Sequence, residues 1–164
     1  MAVKKNYISW DAVETMVNEI AFGIYRSDWK PDIVVGITRG GLVPAIMLSH
    51  KLNIQMHTLD VRLRDADGIG PESNCWLAEY AGDGKNILII DDINDTGATF
   101  EWIKNDWHSS VYNLENSVWG SNVRFASLID NLPSNVDVEY SSLEINKDEN
   151  PEWIVFPWEG KKYA

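Results

Sequence analysis

The stretch ILIIDDINDTGATF, residues 87–100, drives four aliphatic residues straight into Asp91, Asp92 and Asp95, then loosens at Thr96, Gly97 and Thr99. Its first part, NILIID (86–91), is the continuous apolar run expected of a strand buried on both faces of a parallel sheet. Its second part gathers carboxylates whose mutual repulsion costs free energy, so a fold that keeps them has a cation or a polar ligand to hold. With the strand ending near Asp91 or Asp92 and a helix beginning near Thr99, the segment DTGAT presents backbone N–H groups and two hydroxyls toward one point. Amides at a helix start, aided by the helix dipole and by a glycine that lets the backbone approach closely, make an anion cradle suited to a phosphate monoester. The carboxylates at the rim would repel that phosphate and must face another part of the ligand. Two adjacent carboxylates suit a sugar cis-diol or a magnesium ion (Mg2+).

Outward from this stretch, the chain alternates strand and helix patterns. Val13, Met16, Val17, Ile20, Ala21 and Ile24 recur at helical spacing between Trp10 and Arg26, and Asp11 followed by Glu14 resembles a capping box. DIVVGI (32–37) reads as a strand, GGLVPAIMLSHKL (40–52) as a helix opened by glycines, and IQMHTLDV (54–61) as a second strand. Pro44 falls in the first turn or so of its helix, where proline is tolerated. RLRDADGIGPESN then marks a long loop; Thr99 to Trp107 reads as a helix and VRFASLID (123–130) as another buried strand. WHSSVYNLENSVWGSN (107–122) is longer than a helix-to-strand connection requires, and the sequence gives it no role. Such alternation predicts an α/β domain around a mostly parallel sheet, with ligands beyond the C-terminal strand ends. Three of those ends carry conspicuous loops: TRGG, DDINDTGAT and DNLPS.

Composition narrows the function. A chain of 164 residues, 45% hydrophobic, suits one domain spanning 1–164. No apolar run is long enough to span a bilayer and MAVKKNYISW has no signal-peptide block, so a soluble, cytoplasmic protein is expected. The net charge of -11 argues against a nucleic-acid surface. Cys75 is a single cysteine, so no internal disulfide forms, and His50, His57 and His108 lack metal-ligand spacing. Neither GITRGG nor GDGK fits the phosphate loop GxxxxGK[ST] of nucleoside triphosphatases. ITRGG (37–41) is instead a tight turn whose amides, with Arg39, are placed to hold a pyrophosphate.

ILIIDDINDTGAT resembles the phosphoribosyl-pyrophosphate signature of type I phosphoribosyltransferases, which joins a hydrophobic strand, an acidic pair, and an Asp-Thr-Gly followed by a Thr. YISWDAV, VVGITRGGLVPA, DGKNILIIDDINDTGAT and EWIVFPWE fall in the order and rough spacing of the xanthine-guanine branch and frame most of the chain. The resemblance implies a type I phosphoribosyltransferase fold: a twisted, mostly parallel sheet flanked by helices, with a small hood from the chain ends, assembling as homodimer or homotetramer. It implies transfer of ribose 5-phosphate from phosphoribosyl pyrophosphate (PRPP) to a purine base such as guanine, xanthine or hypoxanthine, with Mg2+ and release of pyrophosphate. Asp91 and Asp92 would hold the ribose hydroxyls, directly or through the metal. Asp95 would sit near the imidazole ring of the base as the catalytic residue that assists proton transfer. Asp95, Thr96, Gly97, Ala98 and Thr99 would wrap the 5′-phosphate. Thr38, Arg39, Gly40 and Gly41 would form a pyrophosphate loop, which in this family often contains a non-proline cis peptide. Trp153 would stack on the purine and Ile154 would present main-chain groups to its edge. Residues 61–82 occupy the place of a lid.

Two departures stand out. Where the branch carries a lysine that donates to the 6-oxo group, after the strand RFASLID, this chain has Asp130 and Asn131, leaving Asn131 to read the base. In the lid, a basic residue of the pattern gives way to LAEY (77–80) with Glu79, although Arg62 and Arg64 lie earlier in the segment. A non-catalytic nucleotide sensor of the same fold, or the same chemistry on another base, are the alternatives these departures keep open.

Overall fold

A computed structural model describes residues 3–61 and 75–160. Strand β1 (Lys4–Tyr7) leads into α1 (Trp10–Arg26), followed by β2 (Ile33–Thr38), α2 (Leu42–Leu52), β3 (Gln55–Asp60), α3 (Cys75–Gly82), β4 (Ile87–Asn94) and α4 (Ala98–Ser110). The chain closes with β5 (Val123–Asn131), β6 (Tyr140–Ile145) and β7 (Glu152–Val155). Short 3-10 turns lie at Asn116–Val118 and Pro157–Glu159.

β-branched and aliphatic runs form a five-stranded sheet in the order β3-β2-β4-β5-β6, with every neighbouring pair parallel. Alternate side chains feed two cores. Ile33, Val35, Ile37, Ile87 and Ile89 point to one face and pack with Leu77 and Ala78 of α3 and Phe100, Ile103 and Trp107 of α4. Val34, Leu88 and Ile90 point to the other and pack with Val13, Val17 and Ile20 of α1 and Ala45 and Leu48 of α2. After β2 the chain turns outward to β3, and it returns on the opposite side as β4. The strand order therefore reverses between β2 and β4, where a parallel sheet opens a crevice at its C-terminal edge.

The chain ends pair with each other: β1 runs parallel to β7, Lys4 opposite Glu152 through Tyr7 opposite Val155. This two-stranded unit is the hood expected from the resemblance.

Several local expectations shift. The α1 cap is Ser9, whose hydroxyl accepts from the Ala12 N–H at 3.1 Å, rather than an Asp11–Glu14 box; Asp11 sits in the first turn. The fourth strand does not stop near Asp91, because β5 continues to pair with it through Asp91–Ser127, Ile93–Ile129 and Asn94–Asp130. Helix α4 starts one residue before Thr99 and outlasts Trp107 by three, ending at Ser110. The proposed lid divides: residues 62–74, with Arg62 and Arg64, lie outside the described residues, whereas Cys75–Gly82 is a helix that buries Leu77, Ala78 and Ala81 in the core. The unassigned link at 107–122 proves to be core-building. Trp119 stacks on Phe125 at 5.6 Å and lies 5.5 Å from the buried Trp107 ring. Its indole N–H donates to His108 Nε2 at 2.9 Å, which leaves His108 Nδ1 to donate to the Leu114 carbonyl at 3.0 Å.

Candidate active site

The crevice between β2 and β4 is flanked by two glycine-containing turns, one after β2 that packs on β4 and one at the start of α4. At the end of β2, the Thr38 hydroxyl donates to Asp60 Oδ1 at 2.8 Å, the Thr38–Arg39 peptide is cis, and the Gly41 N–H returns to the Ile37 carbonyl at 2.9 Å. β2 and β4 pair only as far as Gly36 and Ile90, and Gly41 fills the space beyond. A β-carbon there would lie 2.3 Å from the Ile90 carbonyl oxygen, and one at Gly40 would lie 2.1 Å from Asp92 Oδ2. Glycine at both positions is what lets the turn meet the carboxylates of β4. Thr38, Arg39, Gly40, Asp60, Val61, Asp92, Trp158 and Glu159 line an open cleft of about 1040 Å³.

Asp91 and Asp92 thus stand on a strand. Asp91 Oδ1 accepts from the Asp92 N–H at 2.9 Å, and Asp92 Oδ1 accepts from the Ile93 N–H at 2.8 Å. Burial pushes the Asp91 carboxyl well above the usual carboxylate range, and the neighbouring Asp92 charge adds to it. Burial raises Asp92 as well, against the Ile93 hydrogen bond, and the Glu159 charge pushes in the same direction as burial. A ligand that brings hydroxyl donors or a cation would relieve both. Among the described residues, no three His, Cys, Asp or Glu side chains converge on a point that would cage a metal. Two carboxylates fit a magnesium ion that takes its remaining ligands from substrate oxygens and water.

The second turn, at the start of α4, lines a smaller cavity of about 210 Å³ with residues from Asp91 to Phe100. Gly97, at φ 85°, is the N-cap and carries no capping side chain; the Ala98 N–H reaches Thr96 Oγ1 at 3.3 Å. Thr99 and Phe100 line this cavity within the first turn of α4, where backbone N–H groups have no intrahelical acceptor and suit an anion. The cradle is braced from beneath. Buried Asn94 donates to Asp130 Oδ1 at 2.8 Å and to the Val136 carbonyl at 2.7 Å, and it accepts from the Ser134 hydroxyl at 2.9 Å. The Asn135 N–H donates to the Thr96 carbonyl at 3.1 Å. Asp130, raised above its ordinary value chiefly by burial, belongs to this scaffold.

Thr38 to Gly41, Asp91, Asp92 and Asp95 to Thr99 are therefore gathered along the C-terminal ends of two adjacent strands. Asn131 is buried beside Asp95, donating from Nδ2 to the Asp95 carbonyl at 2.9 Å. Trp153 stands on the hood strand β7 with 57% of its surface exposed, while Ile154 next to it is buried in the core on the α1 side. Three groups at the site carry no mark in the sequence. Asp60 fastens the first turn, Glu159 lies at the cleft wall and accepts from the Phe156 N–H at 2.9 Å, and the Lys147 ammonium lies 2.8 Å from Asp95 Oδ2. Lys147 falls in the polar turn INKDEN, which has no periodicity or motif to mark it.

Comparison with known proteins agrees with this geometry. The sequence profile of the phosphoribosyl transferase domain matches residues 4–161. The chain is 31% identical over 161 residues to the xanthine-guanine phosphoribosyltransferase of Cereibacter sphaeroides, covering 93% of this chain and 86% of that protein. It is 30% identical over 158 residues to the enzyme of the same name from Desulfotalea psychrophila, covering 95% and 88%. The crystal structure of a purine phosphoribosyltransferase from Pyrococcus horikoshii superposes with a TM-score of 0.71 at 26% identity, covering 98% of this chain and 97% of that one. With the domain profile spanning nearly the whole sequence and the signature stretch forming the crevice, the chain belongs to the type I phosphoribosyltransferase family.

Proposed function

We propose that the protein is a purine phosphoribosyltransferase that moves ribose 5-phosphate from phosphoribosyl pyrophosphate to a purine base and releases pyrophosphate. The observation that supports this reading is the seating of Gly40 and Gly41 against Asp92 and the Ile90 carbonyl, so that the cleft lined by Thr38, Arg39 and Gly40 and the cavity lined by Asp91 to Phe100 share Asp92 as a common wall. In this reading the α4 amides and the Thr96 and Thr99 hydroxyls hold the 5′-phosphate. Asp91 and Asp92 take the ribose hydroxyls and fit Mg2+, which when bound neutralises charge on the diphosphate leaving group. Thr38, Arg39, Gly40 and Gly41 hold that diphosphate.

In the transfer step an imidazole nitrogen of the base bonds to C1 of the ribose. The bond from C1 to the diphosphate oxygen breaks and its electron pair leaves with the diphosphate. The proton displaced from the imidazole ring passes to the Asp95 carboxylate, directly or through water. Trp153 covers the purine face, and Ile154 offers its main chain to the base edge. No described helix is long and apolar enough to cross a membrane, and a cytoplasmic homodimer or homotetramer completes the proposal.

Pyrophosphate release from phosphoribosyl pyrophosphate and magnesium, with guanine, xanthine, hypoxanthine, adenine and uracil supplied separately, tests the reading. Release that depends on one of the purines supports it; release with none, or with uracil alone, rejects it.

A further inference from the structure

Asp95 is held in a small clamp that its own loop does not supply. Lys147, in the turn after β6, brings its ammonium to 2.8 Å from Asp95 Oδ2, and its backbone N–H donates to Asn131 Oδ1 at 3.0 Å. Asn131 Nδ2 in turn donates to the Asp95 carbonyl at 2.9 Å, with a longer approach of 3.4 Å to Asp95 Oδ1. Both ends of the Asn131 amide are thus spent on the scaffold, and the residue is only 6% exposed. It ties the Asp95 backbone to the Lys147 backbone. The ion pair above it remains reachable from solvent, with the Lys147 side chain 20% exposed and that of Asp95 44% exposed. An ammonium has three donors, and Asp95 engages one. The pair therefore presents an acceptor and a charged donor side by side.

We propose that Lys147 determines which purine this site takes, its ammonium donating to the oxygen at C6 while the adjacent Asp95 faces the imidazole N–H. This inference rests on the reading under Proposed function. On that edge a 6-oxopurine sets a ring nitrogen beside a carbonyl oxygen, whereas a 6-aminopurine sets the nitrogen beside an amino donor. Against Lys147 the amino group opposes donor to donor, and sites built to hydrogen-bond one group reject the analogue that leaves them unpaired. The strand end where the family pattern puts a lysine carries Asp130 and Asn131 instead, and Asp130 is already bound by Asn94. The positive donor arrives from the neighbouring strand. Asn131 pairs in register with Ile145, so Lys147 lies two residues past that partner, at the same edge of the sheet.

Steady-state kinetics of wild type, Lys147→Met and Lys147→Arg, with hypoxanthine and adenine as the competing bases, test the inference. Melting curves establish that each variant is folded. Loss of a charged hydrogen bond predicts a KM for hypoxanthine raised about 10- to 100-fold in Lys147→Met and the preference over adenine reduced by a similar factor. Lys147→Arg, which keeps the charge and its donors, recovers part of that preference. An unchanged hypoxanthine KM in folded Lys147→Met overturns the inference. So does a fall in kcat alone, which would make Lys147 a residue that only orients Asp95. A wild type that prefers adenine overturns the inference and leaves purine transfer standing, whereas a wild type that uses no purine rejects the underlying reading. If Lys147→Met does not fold, Lys147→Ala takes its place in the same assay: a raised hypoxanthine KM with a reduced preference over adenine supports the inference, and an unchanged KM overturns it.

Discussion

Replacing Gly41 by alanine presses a methyl group against the backbone of the two strands that flank the crevice. The new β-carbon would lie 2.3 Å from the Ile90 carbonyl oxygen, 2.7 Å from the Ile37 nitrogen and 2.8 Å from the Ile37 oxygen. All three are main-chain atoms of β2 and β4, so no flexible side chain can turn aside. Gly41 itself sits at φ -73° and ψ -10°, where alanine is unstrained, and the cost is one of packing alone. Overpacking costs about 1–3 kcal/mol when neighbours can adjust, and with backbone on every side the upper figure of about 3 kcal/mol applies. For a chain of this length that lowers the melting temperature by about 6–12 °C. Gly84 provides the contrast: it lies at φ 82° with nothing within 4 Å of an added β-carbon. Alanine there carries backbone strain without a clash, about 1 kcal/mol, or a melting shift of about 2–4 °C. Thermal unfolding followed by circular dichroism, paired with calorimetric titration of phosphoribosyl pyrophosphate, reads both effects. Gly41→Ala should melt well below Gly84→Ala and bind the ligand far more weakly. If Gly41→Ala melts within about 2 °C of wild type, the close seating of the first turn on β4 is wrong.

Three further outcomes follow from the same geometry. Because burial raises the Asp92 carboxyl above its unfolded value, the fold is most stable with respect to this group at pH below the ordinary carboxylate range and loses stability as the pH rises through the folded value. Asp92→Asn should therefore melt above wild type at pH 7 without magnesium, with the gap closing toward pH 4, while phosphoribosyl transfer collapses; a lower melting temperature at pH 7 would contradict this. Asn94→Ala removes the hydrogen bonds to Asp130, Val136 and Ser134 and should cost about 2–4 kcal/mol in urea unfolding, with weaker binding of ribose 5-phosphate; unchanged stability would show the brace to be dispensable. Trp107→Ala, at a fully buried ring beside Trp119, should cost about 3–5 kcal/mol in the same assay, and a loss below about 1 kcal/mol would deny the 107–122 segment its place in the core.

What the sequence discloses depends on whether a segment's chemistry is written locally. β2 and β4 are apolar on both faces and carry Gly-rich or acidic ends, so strand and ligand turn are legible in one reading. The extension of β4 through Asn94 is not, because polar residues there remain in a strand only through pairing with a partner more than thirty positions away. β6 is six residues long with no buried position, and β7 is four residues that find their partner at the opposite chain end; neither bears a run or an alternation that stands out. The helix Cys75–Gly82 reads as part of a loop because it is short and follows a glycine-rich stretch, although Leu77, Ala78 and Ala81 mark a buried face. Lys147 is the sharpest case: its proximity to Asp95 is created by the β5–β6 register and by the Asn131 amide, which no local pattern encodes.

A crevice that joins a purine to ribose 5-phosphate should, when the protein is incubated with phosphoribosyl pyrophosphate, magnesium and guanine, give guanosine 5′-monophosphate and pyrophosphate in equal amounts, identified by chromatography with mass detection. Both products should be lost in Asp92→Asn. Guanine recovered unchanged beside free ribose 5-phosphate, or no product from any purine, would contradict purine transfer by this crevice.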